Sequence, residues 1–138
     1  MKAIGLDIGT TTICGILIDA ECGKVLKHFT EHNDFIASTH SWERIQDPEV
    51  IFEKAEWILS RLFEEDVVSI CVTGQMHGIV YLDQNGEVQS PLYTWQDGRG
   101  ELPYENTTYA KHLNSFTGYG YVTHFYNKVN YLVPKSTR

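Results

Sequence analysis

Lys2-Ala3-Ile4-Gly5-Leu6-Asp7-Ile8-Gly9-Thr10-Thr11-Thr12, running on through Ile13 to Asp19, is the stretch whose reading decides the fold. Its first part alternates. Ile4, Leu6 and Ile8 share one face of a strand and Ala3, Gly5 and Asp7 the other. Gly9-Thr10 makes a tight turn, and Thr11 to Asp19 is a β-branched strand that stops at a turn over Ala20 to Gly23. Lys24 to His32 gives a third strand, partly polar and therefore nearer a sheet edge. Three strands joined by tight turns predict an antiparallel meander.

Outward from the meander, Asn33 to Gln46 has no clean period and reads as a surface loop. Asp47-Pro48-Glu49 is a helix start: a capping carboxylate, a proline at the first helical position, an acid in the first turn. Ile51, Ala55, Ile58, Leu59 and Leu62 form an apolar stripe, and the helix is expected to end near Glu65. Val67 to Val72 is nearly continuous apolar sequence, which predicts a central strand covered on both faces and parallel to the first. Ile79 to Leu82 and Val88 to Thr94 flank Asp83-Gln84-Asn85-Gly86, a hairpin signal. Pro103 to Leu113 and Thr123 to Leu132 read as helices, with a loop at Thr117-Gly118-Tyr119-Gly120 between them. The class is α/β: a mixed sheet of antiparallel meander plus parallel strand, with flanking helices.

A chain of 138 residues suffices for one domain with a real core. It is short for two full lobes around a nucleotide cleft, at ~100–200 residues each. A formal net charge of −7 repels phosphate backbones and argues against nucleic-acid binding. Cys14, Cys22 and Cys71 form no CxxC pair, and their odd number suits reduced thiols in the cytoplasm. Met1 to Ile8 reads as a strand rather than a signal peptide, and no apolar run approaches the ~20 residues of a membrane span.

Three clusters carry chemistry. In Asp7 to Thr12, backbone amides around Gly9 and Thr10 can meet phosphate oxygens, and the hydroxyls of Thr10, Thr11 and Thr12 add uncharged hydrogen bonds. Asp7 can hold Mg²⁺ directly or through its waters. The same residues also suit a plain hairpin with a polar tip, and GxxxxGK[ST] is absent. Thr73-Gly74-Gln75-Met76-His77-Gly78 follows the buried-looking strand, and ligands of open α/β sheets bind beyond the carboxyl ends of parallel strands. The Gln75 amide and His77 imidazole suit a polyol, whose hydroxyls both donate and accept. Trp95-Gln96-Asp97-Gly98-Arg99 offers an aromatic plane, a carboxylate and a guanidinium, the mixture that a sugar's C–H face and hydroxyls require. A core Trp beside a local Asp–Arg pair is the plainer reading of that segment. The layout predicts that the tips carrying Asp7, His77 and Trp95 meet at one rim of the sheet.

These segments resemble the FGGY carbohydrate kinases. Asp7-Ile8-Gly9-Thr10-Thr11 is similar to their first phosphate motif, and Trp42-Glu43 with Gln46-Asp47-Pro48-Glu49 to the segment before their first helix. Gly74-Gln75-Met76-His77-Gly78 and Thr94-Trp95-Gln96-Asp97-Gly98-Arg99 resemble the xylulose and sedoheptulose kinase branch. Glycerol kinases have an Arg-Glu pair where Met76-His77 stands, which favours a ketose. Thr117-Gly118 and Lys128 also sit where the family places a Thr-Gly and a lysine.

The resemblance implies a ribonuclease H-like domain of the actin-like ATPase group, one of two similar lobes. It implies transfer of the γ-phosphoryl of ATP to a sugar hydroxyl with Mg²⁺. Asp7 would assist the metal, and Gly9, Thr10, Thr11 and Thr12 would contact phosphate. Gln75, Met76, His77, Trp95, Asp97 and Arg99 would line the sugar pocket. The family's general base is an aspartate placed beyond Arg138. Residues 1–138 are thus expected to be a truncated N-terminal domain that folds without turning over ATP.

His28 and His32 share a face of the third strand but lie ~13 Å apart, so they form no metal pair. Cys14 and Cys71 are expected to be buried strand residues, and Cys22 exposed in a turn. Tyr119, Tyr121, Phe125, Tyr126 and Tyr131 read as packing residues, whose exposure would invite a homodimer. Two other readings compete. A ribonuclease H-like nuclease needs several carboxylates around two metals. A non-catalytic nucleotide-binding scaffold would keep the Asp7 hairpin but has no use for Gln75 to His77 or Trp95 to Arg99.

Overall fold

The computed structural model describes residues 1–118. In chain order the strands and helices are β1 (Lys2–Ile8), β2 (Thr12–Asp19), β3 (Val25–His32), β4 (Ile45–Gln46), α1 (Pro48–Leu62) and β5 (Val67–Gly74). They continue with β6 (Leu92–Tyr93), β7 (Pro103–Tyr104), β8 (Thr107–Thr108) and α2 (Tyr109–Thr117). The expected helix over 123–132, Lys128 and the aromatic group from Tyr119 on lie outside the described residues. The chain divides into two compact units, residues 1–34 with 47–75, and residue 35 onward without 47–75.

The first unit is a mixed sheet in the order β3-β2-β1-β5. β1 to β3 form the expected antiparallel meander, with Ile8 opposite Ile13 across the first turn, and polar β3 takes the edge. α1 starts as read. The Asp47 carboxylate accepts from the amides of Glu49 at 2.9 Å and Val50 at 3.5 Å, and Pro48 opens the helix. Its stripe of Ile51, Ala55, Ile58 and Leu62 is buried, and it packs on β1, β2 and β3. The helix meets the sheet where Gly15 leaves room: a Cβ there would collide with Ile58 and come within 2.7 Å of Leu62. Ile4, Leu6, Ile13 and Leu17 complete this core.

β5 runs parallel to β1 as expected, with Asp7 beside Thr73 and Ile8 beside Gly74. Its expected cover does not hold. Among the described residues β5 is an edge strand, and Val68, Ile70 and Val72 are 62%, 47% and 63% exposed. The helix that could have covered them lies over β1, β2 and β3 instead. Cys71, expected to be buried, is exposed on the opposite face, the one that carries Asp7, and Cys14 is half-buried, its Sγ accepting from the Thr30 hydroxyl at 3.4 Å.

Residues 35–46 of the expected Asn33-to-Gln46 loop fall in the second unit and contain β4, which pairs with β6. The hairpin around Asn85-Gly86 forms through bridges Ile79–Tyr93 and Leu82–Val88 rather than long strands. Pro103 begins not a helix but a β7–β8 hairpin, turned at Glu105, whose φ is 51°. The helix starts only after Thr108, whose hydroxyl accepts from the Lys111 amide at 3.4 Å, and it stops at Gly118 with φ 65°.

Candidate functional site

In the first unit, the hairpin tip between β1 and β2 is braced from behind. The Gly9 amide donates to the Thr12 carbonyl at 2.9 Å and closes the turn. The Ile8 carbonyl accepts from the Gln75 amide at 2.8 Å, and the Thr11 carbonyl from the Asn33 amide at 2.8 Å. The Gly9 carbonyl accepts from Asn33 Nδ2 at 2.7 Å. Four tip carbonyls are thereby occupied within the unit, a precondition for a turn that offers amides to an anion. The parallel register of β1 and β5 delivers Gln75 to this tip, and the Thr10 hydroxyl donates to Gln75 Oε1 at 2.9 Å. Asp7 stands exposed on the sheet face opposite buried Ile4 and Leu6. Thr11 is exposed and Thr12 half-buried. Among the described residues no three His, Cys, Asp or Glu side chains gather into a metal-holding group. One exposed carboxylate still fits Mg²⁺, which keeps several waters and takes phosphate oxygens as ligands.

In the second unit, Asp97 and Arg99 form a tight node. Arg99 Nε donates to Asp97 Oδ1 at 2.6 Å and Nη2 to Oδ2 at 3.0 Å, a bidentate fork. Nη2 also donates to Glu43 Oε1 at 3.2 Å. The Arg44 amide donates to Asp97 Oδ2 at 3.0 Å and the Arg99 amide to Oδ1 at 3.2 Å. The guanidinium lies 4.2 Å from the Tyr93 ring centre and 5.5 Å from that of Trp42. Burial is the largest single influence and works against its charge, but the Asp97 hydrogen bond and carboxylate, with Tyr93 and Glu43, together outweigh it and hold its pKa above the ordinary value. Buried Thr94 ties the same turn down through its hydroxyl, which donates to the Arg44 carbonyl at 2.8 Å. Trp95 stands half-buried on this frame.

Met76 and His77 are exposed, and His77 holds a φ of 63°, in the left-handed region that a non-glycine residue rarely occupies. Gln75 thus lies in the first unit with Asp7 and Thr10, and Met76, His77, Trp95, Asp97 and Arg99 in the second. Asn33 and Arg44, which hold the two frames, carried no chemical signal in the sequence, since each works through a backbone bond to a residue far along the chain.

Residues 2–132 match the N-terminal domain of the FGGY family of carbohydrate kinases. The chain is 29% identical over 116 residues to the xylulose kinase of Staphylococcus xylosus, an alignment covering 81% of this chain and 24% of that protein. It is 33% identical over 100 residues to the xylulose kinase of Escherichia coli (strain K12), covering 70% of this chain and 20% of that one. The crystal structure of xylulose kinase from Rhodospirillum rubrum matches with a TM-score of 0.70 at 29% identity, over 83% of this chain and 23% of that chain. The chain therefore spans 20–24% of the length of these relatives. No helix among the described residues is long and apolar enough to cross a membrane.

Proposed function

The chain belongs to the FGGY family of carbohydrate kinases as its N-terminal domain, and on that premise we propose that it grips phosphate and sugar for an ATP-dependent ketose kinase. Xylulose or sedoheptulose is the proposed acceptor. We read the first unit as ribonuclease H-like, in the manner of actin-like ATPases: a meander, a helix, then a strand parallel to the first. ATP with Mg²⁺ would supply the phosphoryl group and neutralise its charge. Asp7 would orient the metal's water shell, and Thr10, Thr11 and Thr12 would hold phosphate oxygens; the Gly9 amide, expected to do the same, is already bonded to the Thr12 carbonyl and shapes the turn instead. Gln75 and His77 would exchange hydrogen bonds with sugar hydroxyls, and Met76 and Trp95 would cover C–H groups. Asp97 and Arg99 would enter the sugar site as an already paired unit, rigid before substrate arrives.

The observation that carries this reading is the occupied set of carbonyls behind the Gly9 turn, joined through Thr10 to Gln75. No general-base role is assigned to these residues in this reading, and the 138-residue chain is expected to bind ligands without turnover. Reduced cysteines favour a cytoplasmic location. Calorimetry with MgATP, xylulose, sedoheptulose and gluconate tests the proposal. Ketose binding supports it. Nucleotide binding alone would favour the non-catalytic scaffold, and binding of neither ligand would remove the assignment. Robust ADP release in a coupled assay would refute the expected inactivity.

A further inference from the structure

We infer that Asn33 is a positioning residue for the phosphate turn, holding its carbonyls away from the anion; the inference rests on the reading of residues 7–12 as a phosphate grip. A turn binds an anion only if its amides face the ligand and its carbonyl oxygens, which carry partial negative charge, face elsewhere. Asn33 performs the second task twice. Its backbone amide donates to the Thr11 carbonyl at 2.8 Å, and its Nδ2 donates to the Gly9 carbonyl at 2.7 Å. The first bond is open to any residue except proline. The second requires a side-chain donor of this length at this position. Asn33 is 4% exposed, so water does not readily replace it. It stands immediately after β3, whose pairing with β2 places Thr12 opposite His32 and so fixes the reach to Gly9.

The test uses the 138-residue chain and two variants. Asn33→Asp keeps the shape and the backbone bond but sets a carboxylate oxygen against the Gly9 carbonyl. Asn33→Ala removes the donor without adding charge. Both are expected to weaken binding of MgATP and of inorganic tripolyphosphate at least tenfold by calorimetry. In both, the Gly9 carbonyl ¹³C resonance and amide exchange at Gly9 to Thr12 should shift, with β1 and β5 amides protected as in the parent. Loss in Asn33→Asp alone would be charge repulsion and would overturn the inference, as would parent-like affinity or an unmoved Gly9 resonance in both. Should Asn33→Ala fail to fold, Asn33→Leu, which keeps the shape without donor or charge, takes its place and is judged by the same affinities, Gly9 resonance and local exchange. If the parent chain binds neither probe, the phosphate reading fails, and the Gly9 signature still decides whether Asn33 sets the turn.

Discussion

The Thr10 hydroxyl donates to the side-chain carbonyl of Gln75 at 2.9 Å, across 65 residues of sequence. The bond joins the turn after β1 to the first residue beyond β5, and it exists because the two strands run parallel with Ile8 beside Gly74. A double-mutant cycle with Thr10→Val and Gln75→Leu should give a coupling of about 1 kcal/mol in urea unfolding, the size of one part-buried hydrogen bond. Additive effects would mean that the bond is not made in solution.

A second prediction concerns acid. The Glu64 carboxylate is paired with Lys2 and lies 2.6 Å from Lys27 Nζ. The Lys2 hydrogen bond, then that of Lys27, lower its pKa from 4.5 to about 2. A folded-state pKa below the unfolded one means that the unfolded chain binds the proton more readily. The stabilisation is therefore present above about pH 4.5 and is lost as pH falls through about 2. Glu64→Gln should flatten the drop in melting temperature across that window and change little near neutrality beyond the loss of the ion pairs. An unchanged acid limb would show that other carboxylates govern it.

The Asp97–Arg99 node should behave as a buried pair. The Asp97 side chain is 0% exposed and that of Arg99 12%. Asp97→Ala removes the bidentate partner of a guanidinium held between Tyr93 and Trp42, leaving it Glu43 at 3.2 Å, and should cost about 3 kcal/mol, the low end for a broken buried pair. Arg99→Lys keeps the charge but cannot make the fork or stack between rings, so it should also destabilise, by less. Guanidinium chloride midpoints would check both. Near-parental stability for Asp97→Ala would show that the node is solvated.

Much of this was legible in the sequence, for local reasons. The meander follows from period-2 alternation and a Gly-Thr turn, and α1 from Asp47-Pro48-Glu49 ahead of an apolar stripe. β5 was legible as a strand but not in its surroundings, because an apolar run states what a strand could bury and not whether a partner is there. Pro103 resembled a first helical residue, yet the turn at Glu105 pairs Pro103 with Thr108 and delays the helix until the Thr108 cap. The braces were silent because their partners are remote, 24 residues for Asn33 with Gly9 and 56 for Arg99 with Glu43. No periodicity encodes such pairs.

The backbone at His77 permits a prediction in which stability and binding move in opposite directions. Its φ of 63° costs a non-glycine residue roughly 1–2 kcal/mol, and strain of this kind persists where surrounding structure or function demands it. Glycine removes that cost but adds about 0.5–1 kcal/mol of backbone entropy to be lost on folding. His77→Gly should therefore leave stability unchanged or raise it by about 1 kcal/mol, where most substitutions lower it. If the imidazole serves the proposed sugar site, the same variant should lose most of its ketose affinity by calorimetry while MgATP binding is retained. His77→Ala, which keeps the unfavourable φ, should lose the affinity without the gain in stability. A His77→Gly chain that binds ketose as the parent does would leave the left-handed backbone in place and remove the imidazole from the sugar site.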